Sequence, residues 1–233
     1  MALFCPKKIQ LEELKQQMGT LLKEPNALTP PEGLATGHAP LDQFLLWKGL
    51  PKGELSCLMG RPGTGATTLW IQTAQKTIEQ KKWVAWINSA SQLMPANLLV
   101  QKVDLNRILV VQKPQTHQQL YWITQELISS NLFETIGCHL NETPQKFPHH
   151  YLKKLKNLAR LHKVALVFIC NYTGSSQLSN LRSSLFSLIL HFQKNEIQVR
   201  RALHRPTPTP IQWRLQNADF MYQLTDGQTP FMR

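Results

Sequence analysis

A glycine-rich turn between an apolar run and a helical pattern constrains the fold of this chain more than any other feature. The apolar run covers residues 55–59, the turn has the sequence Gly60-Arg-Pro-Gly-Thr-Gly65, and the helical pattern covers residues 67–80. Glycines at this spacing let backbone N–H groups face inward at the amino end of a helix, where they can bind an anion. A strand, a tight turn and a helix in this order are typical of a parallel α/β sheet.

The rest of the chain repeats this alternation of short apolar runs and helical patterns. Strands are predicted at residues 55–59, 83–87, 107–111, 132–138 and 164–170, and helices at residues 67–80, 94–103, 116–130 and 148–162. Such alternation predicts an α/β core in which a mainly parallel sheet is flanked by helices on both faces. Three further apolar runs, at residues 188–190, 197–199 and 211–215, are divided by a proline-rich turn and predict antiparallel edge strands at the C-terminal end.

An amphipathic segment precedes this core. Residues 7–23 have apolar side chains at helical spacing, which predicts a helix that Pro25 ends. Its stripe can contact either its own core or a partner, and both alternatives stay open. The stripe consists of Leu11, Leu14, Met18 and Leu21. The predicted organisation is an N-terminal helix (1–24), a linker (25–33), a core (34–224) and a short tail (225–233).

The charge of the chain favours polyanionic partners. Its 26 Lys and Arg residues against 14 Asp and Glu residues give a formal net charge of +12. For the basic residues on the 148–162 helix, among them Lys153, Lys156 and Arg160, a solvated outer face is the favoured prediction and contact with phosphates is the alternative. A second set, near the C-terminal strands and in the Gly/Ser-rich segment 172–182, is predicted to bind DNA or an acidic partner. It consists of Tyr172, Arg182, Arg200, Arg201, Arg205 and Arg214.

Several classes of protein are not expected. No apolar run approaches the roughly 18 residues of a membrane span, and no apolar stretch of a secretory signal follows Lys7 and Lys8. The four cysteines lack the spacing of metal ligands and are expected to be buried in a reducing compartment, so a cytoplasmic protein is predicted. No metal site and no nucleophile elbow is expected. Core packing is predicted for Trp70, Trp83, Trp86 and Trp122.

The glycine-rich turn matches the phosphate-loop pattern G-x-x-x-x-G-K-[ST] except at the lysine, which is Ala66. In such loops the lysine neutralises nucleotide phosphates and the hydroxyl residue holds Mg²⁺. The sequence therefore predicts a vestigial loop that keeps its backbone geometry without its charge. We expect no cofactor, although weak ATP binding stays open. The residues of this loop that would contact a nucleotide are Gly60, Gly63, Gly65, Thr67 and Thr68.

Three motifs in succession resemble the start of the RecA ATPase core. They are Thr36-Gly-His-Ala-Pro-Leu-Asp42, Gly49-Leu-Pro-Lys-Gly-Glu54 and the glycine-rich turn, and the resemblance extends over residues 34–215. It implies that Ala90 stands at the position of the water-activating glutamate, His139 at that of the Mg²⁺-binding aspartate, and Asn171 at that of the glutamine that senses the γ-phosphate. The resemblance thus implies a core without catalytic residues that does not hydrolyse ATP.

Two bacterial families of degenerate RecA relatives are similar to this chain. Residues 83–111 and 133–170 resemble both the ImuA family and the SulA cell-division inhibitors, whereas the retained loop, the N-terminal helix and the basic C-terminal strands favour ImuA. The ImuA resemblance implies a cytoplasmic, nucleoid-associated accessory protein of the SOS response that supports error-prone translesion DNA synthesis. Its implied partners are an ImuB-like inactive Y-family polymerase and an error-prone polymerase, with RecA, DNA and self-association as further candidates. The alternative is a SulA-type protein that binds FtsZ.

Overall fold

A computed structural model describes residues 32–89, 98–99, 101–140, 147–171, 185–202 and 210–213. The helices are α1 (Ala39–Phe44), α2 (Ala66–Glu79), α3 (His117–Ser129) and α4 (His149–His162), and residues 98–99 are also helical. The strands are β1 (Gly33–Leu34), β2 (Leu50–Pro51), β3 (Leu55–Gly60), β4 (Trp83–Asn88), β5 (Ile108–Gln112), β6 (Phe133–Leu140), β7 (Ala165–Asn171), β8 (Phe186–Gln193), β9 (Glu196–Ala202) and β10 (Ile211–Gln212).

The main sheet has eight strands in the order β10-β9-β8-β3-β7-β6-β4-β5. The six strands from β8 to β5 are parallel, and β9 and β10 continue the sheet in antiparallel orientation. The short strands β1 and β2 form a separate antiparallel pair. This arrangement confirms the predicted α/β class with its parallel core and antiparallel C-terminal edge.

Helices cover both faces of the sheet because the parallel strands are apolar on both sides. On one face, α2 packs Leu69, Trp70 and Ala74 into a core that it shares with β8 and β9. On the other face, α3 and α4 pack leucine and isoleucine side chains against β3, β6 and β7. Helices α2, α3 and α4 each lie between two strands along the chain. Because each helix crosses over the sheet, the strand after it runs in the same direction as the strand before it.

One predicted strand differs in its pairing. The run at residues 188–190 was expected among the antiparallel edge strands, but it lies in β8, which is parallel to β3 and antiparallel to β9. Residues 172–185 separate β7 from β8, and a connection of this length is long enough to join parallel strands. Within the described part of the main sheet, only the β8–β9 and β9–β10 pairings are antiparallel.

The prediction for the tryptophans is correct for two of the four. Trp70 and Trp86 are buried and in contact, with ring centroids 4.6 Å apart. Trp83 and Trp122 are exposed to 42% and 59% of their surface, so the prediction that they pack in the core is wrong. Trp83 is the first residue of β4, and Trp122 lies on the outer face of α3. Residue type alone does not distinguish a strand end from a strand centre.

The prediction of a fully solvated basic face on α4 is also wrong in part. Lys153 and Lys154 are exposed, but Lys156 is buried and its Nζ lies 3.1 Å from Glu54 Oε2 and donates to Leu185 O at 2.7 Å. Arg160 donates two hydrogen bonds to Glu54 Oε1, at 2.9 and 2.7 Å. Glu54 therefore connects the start of β3 to α4 through two cations.

The three cysteines in the described ranges, Cys57, Cys138 and Cys170, are buried free thiols, as predicted. The N-terminal helix with Leu11, Leu14, Met18 and Leu21, half of the predicted 94–103 helix and the tail 225–233 lie outside the described residues. Residues 101–103, predicted to end that helix, are not helical. No helix in the described part of the chain has the length and apolar character needed to cross a membrane.

Candidate functional site

The glycine-rich turn lies at the carboxyl end of β3 and leads directly into α2, as the sequence predicts. Thr64 closes the turn, since its backbone N–H and its hydroxyl both donate to Arg61 O, at 3.1 and 2.7 Å. Gly63 and Gly65 have φ values of +83° and +103°, a region that favours glycine. The turn therefore has the backbone conformation for which its glycines are needed.

The amino end of α2 has backbone N–H groups without a capping side chain. Gly65 is its N-cap and offers no side chain to the first turn, and the first helical bond runs from Leu69 N to Gly65 O at 2.9 Å. The N–H groups of the residues between them have no acceptor within the helix, and the helix dipole makes this end positive. Thr67 and Thr68 are half-buried here. The turn thus keeps the geometry of an anion-binding loop.

Ala66 occupies the place of the lysine and belongs to the core. Its methyl group is buried and packs in the same apolar cluster as Leu69 and Trp70. Arg61, in the same turn, is exposed and makes no ion pair within the described ranges. The anion-binding backbone is therefore not accompanied by a cation at residue 66.

Neighbouring strands end in polar but uncharged side chains at the same edge of the sheet. Asn171 ends β7 beside Gly60, and Asn88 of β4 is paired with His139 of β6. His139 is buried and stacks on Trp86 with ring centroids 5.8 Å apart. The Asn88 side chain is only 3% exposed, and its Oδ1 has no hydrogen-bond partner in the described part of the structure.

Ser89 fixes the ends of β4 and β6 to each other. Its hydroxyl donates to His139 O at 2.6 Å, and its backbone N–H donates to the same oxygen at 3.2 Å. The edge formed by residues 88–89, 139–140 and 171 carries amides, a hydroxyl and an imidazole, and no carboxylate. Such groups can donate and accept hydrogen bonds. Ala90, the residue expected at the glutamate position, lies outside the described residues.

The first of the RecA-like motifs has a structural role in this chain. Asp42 accepts the backbone N–H of Thr36 through both carboxylate oxygens, at 3.0 and 3.1 Å, and the Thr36 hydroxyl at 2.7 Å. Burial raises the pKa of Asp42, while the hydrogen bonds from Thr36 oppose that shift. His38 Nδ1 accepts from Leu41 N at 3.4 Å and so caps α1. These hydrogen bonds hold the segment before β2 in place.

The predicted basic site is described only at β9. Arg200 is exposed and is the extra residue of a β-bulge, because Leu190 pairs with Val199 while Ile189 pairs with Arg201. Arg201 is half-buried and engaged with other groups. Burial lowers the pKa of the neighbouring His191, and the charge of Arg200 lowers it further. The other predicted members, Tyr172, Arg182, Arg205 and Arg214, lie outside the described residues, so the structure does not test whether the set is brought together.

Metal ligands are not grouped in the described ranges, where no three His, Cys, Asp or Glu side chains are placed to hold an ion. Sequence analysis missed the buried Asn88 and the Glu54–Lys156 pair. Asn88 could have been found from its place directly after an apolar strand, whereas a contact between residues 102 positions apart leaves no local signal.

Comparison with known proteins supports a relationship to RecA. The chain is 23% identical over 171 residues to the DNA repair protein RadA of Chlamydia pneumoniae, a match that covers 68% of this chain and 37% of that protein. It is 31% identical over 105 residues to the RecA proteins of Rhizobium rhizogenes and Agrobacterium fabrum, covering 45% of this chain and 29% of each of them. No family model matches the chain. The chain is thus RecA-like, and it spans about a third of the length of the curated relatives that it matches.

Proposed function

We propose that this chain is a RecA-like accessory protein that acts through contacts with other macromolecules and not by ATP hydrolysis. The observation that carries the proposal is the combination of a glycine-rich turn in the backbone conformation that its glycines allow with a buried alanine at residue 66. Hydrolysis of ATP needs a cation on the β- and γ-phosphates, a carboxylate that holds Mg²⁺ and a group that orients water. The described strand ends at residues 88–89, 139–140 and 171 supply none of the carboxylates.

The proposed context is the SOS response to DNA damage, in which this protein would support error-prone translesion synthesis. The similarity to RadA and RecA supports a role in DNA repair, and the resemblance to the ImuA family supplies the finer assignment. The proposed partners are an ImuB-like inactive polymerase and an error-prone polymerase. Contact with RecA, with DNA and with further copies of this chain belongs to the same proposal. The net charge of +12 and the exposed Arg200 support the contact with DNA.

The absence of hydrolysis can be tested by restoring the missing cation. We expect no ATP turnover by the purified chain, and we expect Ala66→Lys to tighten nucleotide binding without turnover, because the carboxylates are still missing. Binding is measured with a fluorescent ATP analogue and turnover by phosphate release. Thr67→Ala is the matched control, since it removes the Mg²⁺-binding hydroxyl of the motif. Turnover by the wild-type chain that Thr67→Ala abolishes would refute the proposal.

The partners are tested by affinity capture of the tagged chain from DNA-damaged cells, followed by mass spectrometry. We expect a Y-family-like or error-prone polymerase, or RecA. The capture is repeated after nuclease treatment, so that proteins held only through DNA are lost. Recovery of FtsZ without polymerases would instead support a SulA-type division inhibitor. The retained turn counts against that alternative, because SulA proteins lack a recognisable phosphate-loop segment.

A further inference from the structure

The opposite edge of the sheet from the glycine-rich turn carries a row of exposed apolar side chains. Strands β7, β6, β4 and β5 are neighbours in the sheet and are parallel, so they begin at one edge. A large exposed side chain lies at or just before the start of each strand. These side chains are Leu161 (74% exposed), Leu132 (63%), Trp83 (42%) and Leu105 (41%), and we call them the amino-edge patch.

The strand register places Trp83 close to Leu132, and Leu105 precedes the neighbouring strand β5. Leu161 differs from them because it lies on the outer face of α4, opposite the buried side chains of that helix. Trp83 of β4 is paired with Phe133 of β6, the residue after Leu132, and Val84 is paired with Ile108 of β5. Leu161 lies in the last turn of α4, which ends just before β7. With about 4.8 Å between neighbouring strands, four strand starts span about 14 Å. An α-helix covers this distance with about ten residues, so apolar side chains at helical spacing on one of its faces can reach Leu132, Trp83 and Leu105.

Positive charge surrounds the patch. The turns that lead into β4, β5, β6 and β7 (residues 80–82, 101–107, 130–132 and 163–164) contain five cations and a single carboxylate, Asp104. Lys82 pairs with Glu134 at 3.1 Å, and Arg107 lies 4.0 Å from Asp104. The remaining three cations make no ion pair within the described ranges. They are Lys81, Lys102 and Lys163.

The same three lysines have a backbone conformation that is unfavourable for a residue with a side chain. Their φ values are 62°, 55° and 54° for Lys81, Lys102 and Lys163, in the left-handed region where glycine is the usual residue after a helix. Lys81 follows α2, and Lys163 ends α4. Backbone strain of this kind is concentrated at functional positions in folded proteins. A lysine where glycine would be unstrained keeps a positive charge beside the patch.

We infer that the amino-edge patch binds an acidic amphipathic helix of a partner protein. Leucine and glutamate side chains on one such helix complement the apolar row and the cations around it at the same time. A second copy of this chain would bring like charges together. A nucleic acid would satisfy the lysines but would leave the leucines without a contact. The inference goes beyond the proposed function, because it does not depend on the pathway in which the partner acts.

The test uses a fluorescein-labelled 14-residue helical peptide with leucines on one face and glutamates elsewhere. We expect this peptide to bind the full chain, and we expect the double variant Trp83→Ser, Leu132→Ser to weaken binding about tenfold or more, as the loss of central apolar anchors does. Trp122→Ser is the matched control, because Trp122 is also exposed but lies on α3, away from the patch. That variant is expected to change the Kd less than about twofold. Thermal melting checks that both proteins are folded.

Two control peptides and an oligonucleotide distinguish an acidic amphipathic helix from the other possible ligands of the patch. A peptide with serine in place of leucine and one with lysine in place of glutamate should each bind at least about tenfold more weakly than the acidic amphipathic peptide. The inference is overturned if the acidic peptide does not bind or if the double variant and Trp122→Ser weaken it equally. It is also overturned if a 15-residue oligothymidylate binds with the same dependence on Trp83 and Leu132, which would make the patch a nucleic-acid surface. Dimerisation that the double variant abolishes would make it a contact between copies.

Discussion

Replacement of Glu54 by glutamine tests whether the ion pairs between β3 and α4 stabilise this fold. The Glu54 carboxylate accepts from Lys156, Arg160 and Ser187, and its side chain is 15% exposed. Removal of one partner of a buried ion pair costs about 3–5 kcal/mol, and the Glu54–Lys156 pair belongs at the lower end because Lys156 keeps its bond to Leu185 O. The Arg160 side chain is 54% exposed and adds about 0.5 kcal/mol. We therefore expect a loss of at least about 3 kcal/mol.

The assay is thermal unfolding at neutral pH. For a domain of this size, about 3 kcal/mol corresponds to a decrease in Tm of roughly 6–12 °C. Glu126→Gln is the matched control, since Glu126 is exposed on α3 and makes no ion pair within the described ranges. It is expected to change the free energy of unfolding by less than about 0.5 kcal/mol. Equal Tm values for the two variants would refute the assignment of stability to this network.

The pH dependence gives an independent test. Burial alone would raise the pKa of Glu54, but hydrogen bonds from Ser187 and Arg160 and the charge of Lys156 outweigh it and lower the pKa below its ordinary value of 4.5. A carboxyl whose pKa is lowered on folding stabilises the folded state above its ordinary pKa and loses that contribution as the pH falls through the lowered value. The difference in stability between wild type and Glu54→Gln should therefore be constant above pH 4.5 and shrink in more acidic solution. A difference that grows with acidification would contradict this sign.

Two further substitutions test the packing and the backbone. Gly137→Ala would place a Cβ 2.6 Å from Trp70 Cε2 and 2.8 Å from Trp86 Cε3, so we expect a loss of about 1–3 kcal/mol or more in urea unfolding. A loss below about 0.5 kcal/mol would show that the two rings move apart easily. Lys163→Gly should relieve the left-handed strain and stabilise the protein by about 0.5–1 kcal/mol, whereas Lys163→Ala, which keeps a Cβ at φ 54°, should not. Equal stabilisation by both would indicate that loss of the charge, and not relief of strain, is responsible.

The sequence predicted the elements of the core well because their signals are local. The alternation of apolar runs and helical patterns predicts β3, β4, β5, β6 and β7 to within two residues at either end. The spacing of glycines in the turn likewise requires a specific backbone, and Gly63 and Gly65 have the positive φ values that only glycine adopts without strain. Patterns of this kind depend on neighbours in the chain, so they can be recognised without the fold.

The candidate site was predicted in part. The sequence shows directly that residue 66 is alanine and not lysine. Its burial in the core with Trp70 depends on how α2 packs on the sheet. The positions of His139 and Asn171 at one edge follow from parallel strands, which the sequence predicts. The unpartnered Oδ1 of Asn88 could not be predicted, because a missing hydrogen bond is a property of the surroundings and not of the residue.

The sequence by itself thus determined the fold class, the glycine-rich turn and the loss of its lysine. Each of these depends only on residues that are close to one another along the chain. Only the tertiary structure decided that Lys156 is buried in an ion pair with Glu54 and that Trp83 is exposed. It also decided that β8 joins the parallel strands and that exposed apolar side chains lie at the starts of the neighbouring strands β6, β4 and β5. Burial and ion pairing depend on which distant segments share a surface, and strand order in a sheet is set by packing over the whole core.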